Sequence, residues 1–189
     1  MLQALLVHVK IAQEERHFKM VLQALLERFQ GESGQVLLQK RGTLIIRGLC
    51  GMLGGTKVFS ELATILEAET NCVFAATITQ ALNLMLLSAP ELSSLRSSLQ
   101  NALQDPESAK LLHTLYSCWS HSACAALSLC MLAQAYQHVG ALIHELAELP
   151  LVPVLLAQVD RRAPPSFRRL GTTSCRCGLL RRAQPLKHA

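Results

Sequence analysis

Apolar residues recur at helical spacing along most of the chain. Phe18, Val21, Leu22, Leu25, Leu26 and Phe29 form one stripe, which predicts a helix over about His17–Phe29, with Gly31 and Gly34 ending it. A second helix is expected from about Val36 to Leu53, stopped by Gly54–Gly55. Thr56 is placed to cap a third, running to about Ala68. Asn71 is placed to cap a fourth, apolar nearly all round to Leu87. Ser88-Ala-Pro-Glu91 has the spacing of a capping box. Asp105-Pro106-Glu107 sets a cap, a proline at the first helical position and an acid against the helix dipole. The helix after it carries Leu111, Leu112, Leu115, Tyr116 and Trp119 on one face. Further helices are expected over about Ala123–Gln137, Val139–Leu149 and Val154–Val159.

No stretch alternates with period 2, so no sheet is predicted. Short loops between such helices make antiparallel neighbours. Helices apolar on two sides alternate with one-sided ones, as in a stacked α-solenoid of the HEAT/armadillo kind. No internal repeat period is legible, so a compact bundle is the other all-α architecture this pattern allows. The runs Val73–Leu87 and Ala123–Ala135 are shorter than the ~20 residues that span a bilayer, and they read as buried helices.

Composition agrees with this pattern and changes it in one place. Half of the 189 residues are apolar, and 4% are aromatic. The formal net charge is +5, but it is unevenly spread. Residues 1–160 hold ten Lys/Arg against all 13 Asp/Glu, whereas residues 161–189 hold eight basic residues and no acid. A mildly acidic body excludes a nucleic-acid-binding face on the folded part, because counterion release needs a basic one. The expected organisation is therefore a helical region over residues 1–160 and a disordered basic tail over residues 161–189. The N-terminus, MLQALLVHVKIAQEER, lacks the pattern of a signal peptide and begins mid-helix, as a fragment would. Seven cysteines, an odd number and mostly within apolar helices, point to reduced thiols in an intracellular protein.

Candidate chemistry is sparse. Gly51-Met-Leu-Gly54-Gly55-Thr56-Lys57 lacks both the preceding strand and the Gly-Lys-Ser/Thr ending of a phosphate loop, so it reads as a glycine stop. Cys118-x-x-His121-x-x-Cys124 has soft-ligand spacing but no second pair to complete a zinc site. No Ser, Cys, His and Asp string suggests a nucleophile with its base. No catalytic residue, cofactor or metal is expected. The candidates for partner binding are Tyr116, Trp119, His121, Tyr136 and His138, since polar-tipped aromatics are enriched at interface hot spots. The alternative for Tyr116 and Trp119 is core filling. Arg41 and Arg47 frame an apolar helix, where they would either pair with acids across an interface or lie along a solvated edge.

Seven strings in order carry a resemblance. They are Arg41-Gly-Thr-Leu-Ile-Ile-Arg47-Gly-Leu-Cys50, Ala81-Leu-Asn83-Leu-Met-Leu-Leu87, Leu115-Tyr116-Ser-Cys-Trp119-Ser-His121, Ser128-Leu-Cys130-Met-Leu, Gln134-Ala-Tyr136-Gln-His138, Leu142-Ile and Leu156-Ala-Gln-Val-Asp160. Over roughly His17–Asp160 the chain resembles the C-terminal region of the Vac-fourteen family. That family is the vacuole-morphology scaffold of the PIKfyve/Fab phosphatidylinositol-3-phosphate 5-kinase complex. The resemblance implies a HEAT-like, non-catalytic scaffold that binds a Sac-domain phosphoinositide phosphatase and assembles with itself as a homo-oligomer. It implies that the kinase is held through the full-length assembly. The cytosolic face of endosomes and vacuoles is the implied location, by peripheral membrane association, and control of phosphatidylinositol 3,5-bisphosphate the implied role. The match stops at Asp160, so residues 161–189 are expected to be foreign to the family; the rival reading is a genuine polybasic segment that touches anionic lipid. A generic helical adaptor in vesicle traffic is the alternative reading.

Overall fold

The computed structural model describes residues 15–148, and every element among them is helical. Helix α1, Glu15–Phe29, buries Phe18, Leu22, Leu26 and Phe29, the inner part of its predicted stripe. The chain turns at Gly31, whose φ of +73° suits glycine. It then enters α2, Gly31–Leu37, a π-helical turn over Leu38–Gly42, and α3, Thr43–Leu53. The junction residues Leu38 and Thr43 are helical, so these three pieces form one rod.

The rod corrects the expectation that Gly34 ends a helix. Gly34 lies buried inside α2, where a Cβ would meet the Phe29 carbonyl carbon at 2.5 Å. Its lack of a side chain permits a close approach of two backbones rather than a stop. The π turn buries Leu38 and Gly42 and inserts one residue, which re-aims α3 relative to α2.

At Gly54, φ is +88° and the N–H donates to the Cys50 carbonyl at 3.0 Å, ending α3 as a glycine stop should. Helix α4, Gly55–Glu67, begins directly after it, with no side-chain cap. Thr56 is therefore within the first turn and is not the cap expected of it. Gly55 abuts the Leu92 side chain, whose tip would have to shift to admit a Cβ there. Helix α4 is the centre of the fold: Val58, Phe59, Leu62, Ala63 and Leu66 are all fully buried.

Asn71 does cap helix α5, Cys72–Ser88, accepting from the Phe74 N–H at 3.1 Å. The capping box expected next does not form. Ser88 is the last residue of α5, and its hydroxyl donates back to the Leu84 carbonyl. Glu91 pairs elsewhere, with Arg47. The chain instead bends by 85° through a 3-10 turn, Pro90–Leu92, into α6, Ser93–Gln100. Arg96 reaches back from α6 and donates to the Leu86 and Ala89 carbonyls at 2.9 and 2.7 Å, closing the end of α5.

Asp105 caps α7, Pro106–Trp119, as expected, accepting from the Ser108 N–H at 2.9 Å. Helix α8 is Ala123–Leu132 and α9 is Tyr136–Glu148. The single helix expected over Ala123–Gln137 is thus broken, at Gln134, a non-glycine residue with φ +59°. One hydrophobic core runs from Phe18 to Leu142. Sequence neighbours pack together, α3 on α4, α7 on α8 and α8 on α9, and the most extensive pairing, α4 on α7, joins distant segments. The expected helix Val154–Val159 and the expected basic tail lie outside the described residues.

Candidate partner-binding surface

Two of the candidates, Trp119 and His121, lie where α4, α5, α7 and α8 meet. Trp119, at the end of α7, is 0% exposed and lies tilted against Phe59 of α4, with ring centroids 6.2 Å apart. Its Nε1–H donates to Asn83 Oδ1 of α5 at 3.0 Å, and the Ser128 hydroxyl of α8 donates to the same oxygen at 2.9 Å. Asn83 thus ties three helices with one acceptor. Its role is invisible in sequence, where it is one polar residue in an apolar run. His121 is buried, and its Nε2 bonds the Leu66 carbonyl near the end of α4 at 3.2 Å, beside the bond that carbonyl accepts from the Glu69 N–H. Thr79 Oγ1 and Cys118 Sγ lie 3.5 Å apart in the same buried layer.

Tyr116 and His138 form a second pair, joining α7 to α9. Their rings meet edge-on at 5.4 Å, with His138 Nε2 3.0 Å from the Tyr116 hydroxyl. Burial, and secondarily Cys130, pushes the Tyr116 pKa up to about 12. Burial holds His138 below the usual histidine value. Burial thus favours the neutral form of both partners, and the His138 tautomer sets which of them donates. Tyr136 is apart from both groups, 65% exposed on the first turn of α9.

Arg47 spans from α3 to the 3-10 turn. Its Nη2 and Nε donate to the two Glu91 carboxylate oxygens at 2.8 and 3.3 Å. The pairing raises the Arg47 pKa and lowers that of Glu91. Arg47 thus meets its acid within the chain, and Arg41 lies exposed within the π-helical turn that precedes α3.

The thiols are set for packing. Burial pushes Cys50 and Cys130 up to about 12 and raises Cys124, so they stay protonated and weakly nucleophilic. Among the described residues, no group of His, Cys, Asp or Glu is arranged to hold a metal ion, and no single helix is long and apolar enough to cross a membrane. Lys57, from the glycine segment, lies 5.2 Å over the Phe18 ring.

Apolar surface that the fold leaves open is the feature sequence reading misjudged. Helix α5 reads as buried all round, yet its outer side is open to solvent: Leu84 is 49% and Leu87 45% exposed. Met131 of α8 is 55% exposed. Leu44 and Met52 of α3, and Ile143 of α9, are exposed as well. Such side chains, gathered on a helical frame without assembled reactive groups, suit recognition of another protein.

An all-helical module with apolar side chains left on its surface is the class this arrangement defines, and comparison with known proteins gives the family. Residues 35–162 match the family described as vacuolar protein 14 C-terminal Fig4p binding. The Arabidopsis thaliana protein VAC14 homolog is 43% identical over 155 residues, covering 82% of this chain and 21% of that protein. The Schizosaccharomyces pombe VAC14 homolog is 36% identical, covering 83% and 19%. The Saccharomyces cerevisiae vacuole morphology and inheritance protein 14 is 26% identical, covering 77% and 16%. The chain belongs to the Vac14 family, and it spans about a fifth of the length of these relatives. No solved structure matches it.

Proposed function

We propose that this chain is a non-catalytic scaffold segment that binds a Sac-domain phosphoinositide phosphatase of the Fig4p type. The observation that carries this reading is the family match over residues 35–162, whose description names Fig4p binding. The described structure supports it physically. Among the described residues its buried polar side-chain atoms are all hydrogen-bonded, its buried thiols Cys50 and Cys130 stay protonated, and some apolar residues lie on the surface. Binding would then be the work of the outer helix faces.

In the finer reading, the helices continue a longer HEAT-like solenoid. That longer scaffold assembles with itself, holds the phosphatidylinositol-3-phosphate 5-kinase, and works peripherally on endosome and vacuole membranes to balance phosphatidylinositol 3,5-bisphosphate. Co-precipitation of the purified 189-residue chain with the purified phosphatase tests the core of this function. Retention of the phosphatase is expected; its absence with a folded chain overturns the reading.

A further inference from the structure

Helix α5 carries a second pattern beneath its apolar run. Val73, Thr77, Gln80, Leu84 and Leu87 are all exposed, and they follow one another at steps of 4, 3, 4 and 3. That spacing sets them in one row, the spacing of a coiled-coil seam. On the other side, Phe74, Ile78, Leu82, Met85 and Leu86 are buried. Neither α5 (CVFAATITQALNLMLLS) nor α8 (ACAALSLCML) contains a single charged residue. A solvated helix face ordinarily carries charge, whereas the centre of a protein interface is depleted of it.

Two hydrogen bonds fix how these helices lie together. Gln80 Nε2 donates to Ser122 Oγ at 3.4 Å, and Ser128 Oγ donates to Asn83 Oδ1 at 2.9 Å. Both contacts advance toward the C-terminus on each helix, so α5 and α8 run in the same sense. Continuing that way leads to Leu87 on one helix and Met131 on the other, both exposed.

We infer that this uncharged α5–α8 face is where the Fig4p-type phosphatase docks, through an apolar, uncharged helix of that enzyme. Leu84, Leu87 and Met131 serve as anchors, and Thr77 and Gln80 fix the register. The inference rests on the reading that the chain binds this phosphatase. Both helices lie wholly within the span matched as Fig4p binding, whereas the exposed Met20 of α1 lies outside it. The polar centre of the row suits reversible recognition of a different chain; a permanent seam between copies is more apolar at such positions.

The test uses the 189-residue chain and purified phosphatase. Leu84→Glu and Met131→Glu each place a charge in the contact and should weaken phosphatase binding by at least about tenfold. Their circular dichroism and melting should stay those of wild type, because both side chains point outward. Leu84→Ala, which adds no charge, should weaken binding in the same direction. Ile143→Glu on α9 should bind as wild type. Folded glutamate variants that bind as wild type overturn this docking face and leave the broader function intact. Wild-type chain that fails to bind overturns both. Variants that lose self-association yet keep the phosphatase assign the face to a second copy and overturn the inference.

Discussion

Helix α5 presents two uncharged surfaces, both carrying leucines, with opposite fates. Its inner side packs on α7 and α8, and there Asn83 receives Trp119 and Ser128 in one shared acceptor. Its outer side carries Leu84 and Leu87 into solvent. The inner surface joins apolar packing to satisfied polar bonds, which together specify a single arrangement of helices. The outer surface leaves Leu84 and Leu87 open to solvent, so these side chains add little to the fold and remain available. Hydrophobicity alone does not separate core from contact surface; the bonded polar residue among the apolar ones does.

Substitutions on the two sides should therefore behave differently. The largest effect belongs to the inner side. Trp119→Ala should cost about 3–5 kcal/mol in urea unfolding, since it removes a fully buried indole and leaves a cavity beside Phe59. Asn83→Leu should cost about 1–3 kcal/mol, because the Trp119 N–H is then buried without an acceptor. Wild-type stability in that variant would show that another group accepts the proton. Asn71→Ala, at the start of the same helix, should cost about 1 kcal/mol through loss of the cap to Phe74.

The Tyr116–His138 pair adds a pH dependence. Folding holds the His138 pKa below its unfolded value, so the unfolded chain binds the proton more readily. The contribution is complete above about pH 6.5 and is lost as pH falls through the folded value. His138→Gln should flatten that part of the profile of melting temperature against pH. A profile that keeps its slope in the variant would assign the dependence elsewhere. The smallest effect belongs to the outer side: Leu84→Ala should change stability by less than about 0.5 kcal/mol.

The same contrast explains what was legible in the sequence. Asn71 and Asp105 act as expected, because a cap is a local bargain between a side chain and the next three residues. Ser88 and Glu91 have equally good spacing, but Arg47 comes within reach of Glu91 only in the folded chain. The break at Gln134 carries no glycine or proline signal. The aromatic rule for interfaces named Trp119, Tyr116 and His121, all three of which are tied into the interior, while α5's outer row needed burial data to be separated from core. Its 4-3-4-3 spacing was present in the sequence, hidden because the residues between were apolar too.

Methionine footprinting offers the most direct test, since the chain carries its own controls. Met131 is exposed on α8, Met20 and Met52 are exposed on α1 and α3, and Met85 is buried in the core. Oxidation should be followed by mass spectrometry with and without a saturating amount of the phosphatase. The account predicts that Met131 becomes protected, Met20 and Met52 stay reactive, and Met85 is slow in both samples. Unchanged Met131 oxidation in a complex that has demonstrably formed would contradict it.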